Sequence, residues 1–191
     1  LNPVQQANPA GGFFTDTSAG VMSTLNAAEG RVTYMSPDYA AATLAGLDDA
    51  TKVATVAGVS PAPANVSAAI GAVAVPAIAN RTLPNNWVPV FAATTSATDP
   101  SVVAYPSSGY PILGFTNVVF SQCYADANQT SQVRTFFTRH YNTSAFSSND
   151  AAIRNNRFVP LPTTWKTAIN DTFLNADSNL TNGKSNICNG I

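Results

Sequence analysis

The stretch from Ser108 to Asn142 constrains the fold of this chain more than any other part of the sequence. From Tyr110 to Phe120, after a Ser-Ser-Gly turn, apolar side chains alternate with small or polar ones, which predicts a β-strand. Asp126 to Asn128 then offer a helix cap, and apolar side chains recur at helical spacing (Val133, Phe136, Phe137 and Tyr141). A strand that leads into a helix is half of an α/β unit, so we expect helices layered on a sheet.

A second α/β unit is predicted near the amino-terminus. Thr15 to Ser18 offer candidate helix caps, and Gly30 is a helix stop before Arg31 to Met35, which alternates as a strand. Further elements are predicted as a helix over 65–80 that Pro76 should bend or end, a strand over 102–105, a helix over 147–155, and a helix that starts at Thr163 or Thr164. Aromatic residues along these elements are predicted to form core stripes: Phe115, Phe120, Phe136, Phe137, Trp165 and Phe173.

Composition limits the function classes that the chain can serve. Its 191 residues are enough to bury a core, yet only 10% are charged, against about 25% in an ordinary soluble protein. Ser, Thr and Asn must therefore supply most of the polar, hydrated surface. Such a surface is typical of an exported protein or of a face that is buried in an assembly. With a net charge of −1 and no basic run, a binder of nucleic-acid phosphates is not expected. No apolar run is long enough to predict a membrane span.

The two cysteines, Cys123 and Cys188, are too far apart in sequence for a C-x-x-C redox pair. Without a histidine cluster they also make a poor zinc site, so no metal site is predicted. In an exported protein they would form one disulfide that ties the strand–helix junction to the carboxyl-terminus. The alternative is a pair of unpaired buried thiols.

Few residues predict chemistry. The best candidate for an anion site is the helix start Thr15 to Gly20, where Thr17, Ser18 and Gly20 could present hydroxyl and backbone N–H groups to phosphate. The carboxylate of Asp16 would compete for those donors, and a simple N-cap is the alternative. His140 is the single histidine and has no G-x-S-x-G nucleophile to serve, so no catalytic residue and no cofactor are predicted.

Several sequence blocks resemble the DING-type phosphate-binding proteins, which belong with the phosphate-binding subunits of bacterial phosphate ABC transporters. The blocks include FTDTSAGVMSTLNAAEGRVTYMSPDYAA, LAGLDDATKVATV, YPILGFTNVVFSQCYADANQTSQVRTFFTRHY and SNICNG. The resemblance implies an α/β, periplasmic-binding-protein-like (type II) fold, of which this chain is the carboxyl-terminal part. It further implies that residues 1–105 are the remainder of the second lobe and that residues 106–191 return to the first lobe.

In this family phosphate lies in the cleft between the lobes, held mainly by residues of the amino-terminal half. None of those ligand motifs has a match here, so the resemblance implies an exported, periplasmic or extracellular fragment that binds phosphate only when an amino-terminal half completes it. The alternative is a short structural or assembly module of the same fold, such as an extracellular filament subunit, that has lost phosphate binding. Phosphatase activity is sometimes associated with the wider family, but no nucleophile, base or metal set for it is evident in the sequence.

Overall fold

The structure of the chain, a computed structural model, describes residue 15 and residues 17–188. Its α-helices are α1 Ser18–Asn26, α2 Pro37–Ala40, α3 Pro63–Gly71, α4 Ala127–His140, α5 Asp150–Asn155 and α6 Thr163–Ile169. Helix α6 continues into a π-helical turn at Asn170–Leu174, and single 3₁₀ turns lie at Ala45–Asp48, Ile78–Asn80 and Pro84–Trp87. The strands are β1 Val90–Ala92 and β2 Val102–Ala104. No helix among the described residues has both the length and the apolar character to cross a membrane.

Strands β1 and β2 pair in parallel, with Val90 opposite Val102. Their connection, residues 93–101, is shorter than the dozen or so residues that a helical crossover needs. Polar side chains fold it instead: Ser96 Oγ accepts the amide of Asp99 at 3.0 Å, and Asp99 Oδ1 accepts the Ser101 hydroxyl at 2.6 Å and amide at 2.9 Å. These hydrogen bonds from Ser101 lower the pKa of the Asp99 carboxyl below its ordinary value. The strand predicted over 102–105 is confirmed, less its last residue.

A row of aromatic rings forms the core behind this sheet. Phe115 stacks on Trp165 with ring centroids 5.8 Å apart, and Phe91 of β1 stacks on Phe115 at 6.1 Å. Trp165 is 3% exposed, and its indole Nε1 donates a hydrogen bond to Val73 O at 3.0 Å. Because a buried indole N–H needs an acceptor, this bond sets how α6 packs on the end of α3.

Helix α4 forms where the sequence predicts it. Asp126 is the N-cap, and its Oδ1 accepts the amide of Asn128 at 2.7 Å. Phe137 is buried and stacks on Phe120, with ring centroids 4.6 Å apart. Phe136 was predicted to be core, but it is 54% exposed because it lies on the edge of the helix stripe that Phe137 buries. Periodicity locates the stripe but not its width.

Two predicted strands, Arg31–Met35 and Tyr110–Phe120, form no paired strand in the described part of the chain. Residues 32–35 and 111–120 make no backbone–backbone hydrogen bond there, although the Tyr110 amide donates to Asn65 O. The burial pattern over 111–115 is nevertheless that of a strand, since Pro111, Leu113 and Phe115 are partly buried while Ile112, between the first two, is 64% exposed. A strand needs a neighbour to complete its hydrogen bonds, and neither stretch has one in the described part of the chain, so the prediction of a strand at each was wrong. We call residues 32–35 and 111–120 the two unpaired segments, because neither range makes a backbone–backbone hydrogen bond in the described part of the chain.

Other predicted boundaries move by a few residues. The helix predicted over 65–80 is α3, which ends at Gly71, before Pro76 is reached. The helix predicted over 147–155 starts at Asp150, and Ser148 Oγ accepts the amide of that residue at 3.2 Å. Helix α6 begins at Thr163 after Pro162, without a side-chain cap. Local capping patterns locate such helices only to within a turn because several neighbouring hydroxyls can serve as the cap.

Candidate functional site

The predicted anion-binding helix start lies at the beginning of α1. Thr17 is the N-cap, and its Oγ1 accepts the amide of Gly20 at 3.0 Å, so one of the donors that could face an anion already has an acceptor. Gly20 packs so closely on Thr15 that a Cβ at this position would collide with the Thr15 hydroxyl. Ser18 is exposed, and Asp16 lies outside the described residues. Phosphate binding by Thr17, Ser18 and Gly20 stays a prediction.

A cavity of about 260 Å³ lies between the start of α3, the loop before α5, the residues that join α5 to α6, and α6 itself. Three hydroxyl side chains line it, those of Ser67, Thr143 and Thr163. The charged side chains in the lining are Asp150, Arg154 and Lys166, which together carry one net positive charge. Since the lining is mostly polar, the cavity is suited to water or a small polar guest rather than to an apolar one.

Lys166 and Asp150 form a buried ion pair beside this cavity. Their Nζ and Oδ1 atoms are 2.6 Å apart, and the side chains are only 4% and 9% exposed. Lys166 Nζ also donates to Asn142 O at 3.1 Å, so the ammonium has two acceptors. Asp150 is the first residue of α5, where the helix dipole favours a negative charge. The pair therefore satisfies both buried charges and joins α5 to α6.

Sequence reasoning missed this pair. Lys166 follows the core residue Trp165 directly, and nothing in the spacing distinguishes it from a solvent-exposed lysine. The two residues are 16 positions apart on different helices, so only their packing brings the charges together. A capping signal at Ser148–Asp150 was the one local hint that Asp150 lies at a helix start.

His140 is the last residue of α4 and is half-buried among aromatic rings, not on the open surface. Its ring stacks on Phe136 at 5.6 Å and meets the Tyr141 ring edge-on at 4.9 Å. Its Nδ1 lies 3.5 Å from Asn149 Nδ2. Partial burial lowers the pKa of His140 below the ordinary 6.5, and the positive charge of Lys166 lowers it further, while Asp150 acts in the opposite direction. No hydroxyl or thiol within the described ranges bonds to the imidazole in the manner of a catalytic nucleophile.

We predict that His140 makes the stability of the chain fall as the pH drops below the ordinary histidine pKa of 6.5. Because its pKa is lowered in the folded state, the unfolded chain binds the proton more readily, so stability should fall as pH drops from 6.5 through the folded pKa. His140→Gln should flatten this dependence while leaving stability at pH 8 nearly unchanged. Urea unfolding at half-unit pH steps measures it. As the chain has one histidine, an equal slope in both proteins would contradict the prediction.

The carboxyl-terminal residues are fastened to the loop before α4. The structure joins Cys123 to Cys188 by a disulfide, the first of the two alternatives that the sequence allows, with the Cα atoms 5.4 Å apart. Around it, Gln122 Nε2 donates to Asn179 O at 2.7 Å, and Gly183 N donates to Gln122 O at 2.8 Å. Asn182 is fully buried and donates from Nδ2 to Ser121 O at 3.0 Å. We call these contacts of residues 121–123 with residues 179–188 the tail clamp.

The described residues contain no cluster of three or more His, Cys, Asp or Glu side chains that could hold a metal ion. Asp48 and Asp49 point to different partners: Asp48 accepts the Ser60 hydroxyl, and Asp49 Oδ1 accepts the Thr51 hydroxyl at 2.6 Å. The chemically distinctive features of the described chain are thus the polar cavity, the buried ion pair beside it and the tail clamp.

Comparison with known proteins gives strong matches along nearly the whole chain. No protein-family profile matches it. A protein of Pseudomonas aeruginosa named alkaline phosphatase L is 70% identical over 183 residues, which are 96% of this chain and 46% of that protein. A phosphate-binding protein from an unknown prokaryotic organism is 59% identical over 194 residues, covering 95% of this chain and 50% of the relative.

Solved structures agree with these relatives. The high-affinity periplasmic phosphate-binding protein PfluDING, solved with bound phosphate, superposes with a TM-score of 0.82 at 59% identity, covering 96% of this chain and 50% of that one. An ancestral soluble variant of the human phosphate-binding protein superposes with a TM-score of 0.80 at 63% identity, over 90% of this chain and 48% of that one. The chain thus spans about half the length of the relatives it matches, and the predicted α/β type II fold is confirmed. It therefore belongs to the DING-type phosphate-binding proteins and corresponds to the carboxyl-terminal half of such a protein.

Proposed function

We propose that this chain is half of an exported receptor for inorganic phosphate and that it binds phosphate only together with an amino-terminal half. One observation carries the proposal: the chain is 59% identical, over 96% of its length, to half of a protein solved with phosphate bound. The helix start of α1 supports the need for a second half, because Thr17 already takes the Gly20 amide that an anion would use. The alternative of a self-assembling module has no support from the described residues or the relatives.

Within the receptor, residues 1–105 would complete the second lobe and residues 106–191 would return to the first. The two portions touch where such a return would begin, since Phe91 stacks on Phe115 and Trp165 donates to Val73 O. Contacts of this kind would hold the crossing point rigid while the lobes move around it. Phosphate would then lie in the cleft between the lobes, with its main ligands from the amino-terminal half.

The receptor would act outside the cytoplasm, in the periplasm or the extracellular space. The Cys123–Cys188 disulfide supports this location because disulfides persist mainly in oxidising compartments. The matched PfluDING protein is also described as periplasmic. A receptor of this type would deliver phosphate to a membrane transporter of the ABC class.

Hydrolysis of phosphate esters is a second candidate function because three Pseudomonas aeruginosa relatives carry the name alkaline phosphatase L. Hydrolysis needs a positioned nucleophile or an activated water, whereas capture needs only hydrogen-bond donors and positive charge. The two activities are separable by one pair of assays on the same protein.

The test is a fusion of this chain to the amino-terminal half of the 70% identical Pseudomonas aeruginosa relative, titrated with inorganic phosphate by calorimetry. We expect the fusion to bind with a Kd below about 1 μM, and the 191-residue chain alone to show no binding up to about 1 mM. Sulfate is the matched control ligand. Tight binding by the chain alone, or none by the fusion, would contradict the proposal. Release of p-nitrophenol from p-nitrophenyl phosphate by the fusion would favour hydrolysis.

A further inference from the structure

We propose that the two unpaired segments, 32–35 and 111–120, are docking edges for the amino-terminal half, and that this half can dock on them as a separate polypeptide. This inference rests on the proposed function, since the occupant is the other half of the same receptor. It adds that the receptor can be assembled from two chains and names the residues through which they join.

Several large apolar side chains of these segments are highly exposed to solvent. Val32 and Tyr34 are each 94% exposed, and Val119 is 95% exposed. Ile112 adds a further large apolar side chain at 64%. Single exposed apolar residues are ordinary, but runs of them on one segment are typical of a surface that another element covers.

The backbone of the segments is open as well. Residues 32–35 and 111–120 have no backbone–backbone hydrogen bond within the described ranges, so no strand described there occupies their backbone, although Tyr34 O accepts the Thr33 hydroxyl at 3.4 Å. Pro111, Leu113 and Phe115 are partly buried while Ile112 and Gly114 between them are exposed, which is the two-residue period of a strand. Addition of a strand at such an edge satisfies the backbone and covers the outward side chains in one step.

The rest of the chain has its own means of staying folded, which is what docking in trans requires. Trp165 and Phe137 lie in a buried core, and the Lys166–Asp150 pair joins two helices within it. The Cys123–Cys188 disulfide holds the carboxyl-terminal residues without help from another chain. The segments are therefore edges of a folded body and not parts of its core.

The length of the relatives indicates that the amino-terminal half is the polypeptide that docks on the two unpaired segments. The relatives that match along 95–96% of this chain are about twice as long, so an equal length of polypeptide has no counterpart here. That length is ample to supply strands for both segments. A second copy of this chain would offer only the same unpaired edges.

The experiment mixes this chain with the amino-terminal half of the 70% identical Pseudomonas aeruginosa relative, expressed as a second polypeptide. We expect a one-to-one complex in light scattering, and amide hydrogen exchange slowed at least tenfold in both segments. Tyr34→Glu and Val119→Glu should each weaken association by about tenfold or more, because each places a charge in the covered surface. Phe146→Glu is the matched control, since Phe146 is fully exposed but lies outside both segments, and its affinity should equal that of the unaltered chain.

The substituted side chains are exposed, so all three variants should keep the thermal midpoint of the isolated chain, which circular dichroism verifies. Failure of the halves to associate, unslowed exchange in the segments, or unchanged affinity of the Tyr34 and Val119 variants would overturn the inference. A homodimer protected at the same segments would also overturn it, in favour of a second copy. Phosphate titration of the covalent fusion tests the proposed function independently of the docking inference. If the fusion binds phosphate while amide exchange in the two unpaired segments is not slowed, the proposed function is supported and only the docking inference is contradicted.

Discussion

Replacing both cysteines, as Cys123→Ser with Cys188→Ser, is expected to lower the free energy of unfolding of the chain by roughly 4 to 5 kcal/mol. The disulfide links residues 65 positions apart, so its loss frees a long loop in the unfolded ensemble. For a domain of this size the thermal midpoint should fall by roughly 10 to 20 °C. Urea and thermal unfolding, followed by circular dichroism, measure both quantities.

The tail clamp makes the effect of this replacement local as well as global. Without the disulfide, only the hydrogen bonds of the clamp, including those of Gln122 with Asn179 and Gly183 and that of Asn182 with Ser121, join the carboxyl-terminal residues to the loop before α4 among the described residues. Amide exchange over residues 178–188 should therefore quicken more than exchange in α4. Reduction of the unaltered chain should reproduce the result, and Ser185→Ala, an exposed change in the same residues, should not. An unfolding midpoint that survives both reduction and the double replacement would show that the clamp is held by packing alone.

Lys166→Met is expected to cost about 3 to 5 kcal/mol of folding stability. The change removes the ammonium that lies 2.6 Å from Asp150 Oδ1 and leaves a carboxylate that is 9% exposed without its partner. Asn142 O loses the donor at 3.1 Å in the same step. The cost comes mainly from the unpaired buried charge.

The matched control is Lys52→Met, the same replacement in an exposed pair. Lys52 lies 3.9 Å from Asp49 with side chains 77% and 38% exposed, so solvent screens this pair and its loss should change stability far less than Lys166→Met does. The double change Lys166→Met with Asp150→Leu should recover most of the stability, because both charges leave the interior together. Equal losses for Lys166→Met and Lys52→Met would mean that the buried pair is solvated in solution.

Sequence reasoning succeeded where the structure is decided by neighbours along the chain. The cap at Asp126, the stripe of α4 that buries Phe137 and the short strand at Val102 all depend on residues a few positions apart. Periodicity predicted helices layered on a sheet, but the periplasmic-binding-protein-like (type II) fold came from the resemblance of whole sequence blocks. It could not have been derived from two three-residue strands.

Reasoning from the sequence failed where an interaction joins distant residues. Tyr110–Phe120 has the alternation of a strand but no partner for its backbone among the described residues. Phe136 and Phe137 are equally apolar, yet only Phe137 faces Phe120. No local sequence pattern predicted that Lys166 would be buried against Asp150.

By itself, then, the sequence determined the helix caps, the low charge and the similarity to phosphate-binding proteins. Helix caps depend on residues within one or two turns, and charge follows directly from composition. The similarity is found by comparing the residues one by one. Tertiary structure alone decided that Cys123 meets Cys188, that Lys166 is paired out of contact with water, and that Val32, Tyr34 and Val119 remain exposed. Each of these depends on which distant surfaces come into contact. Hydrogen bonds between strands and ion pairs between helices form only after that packing is chosen.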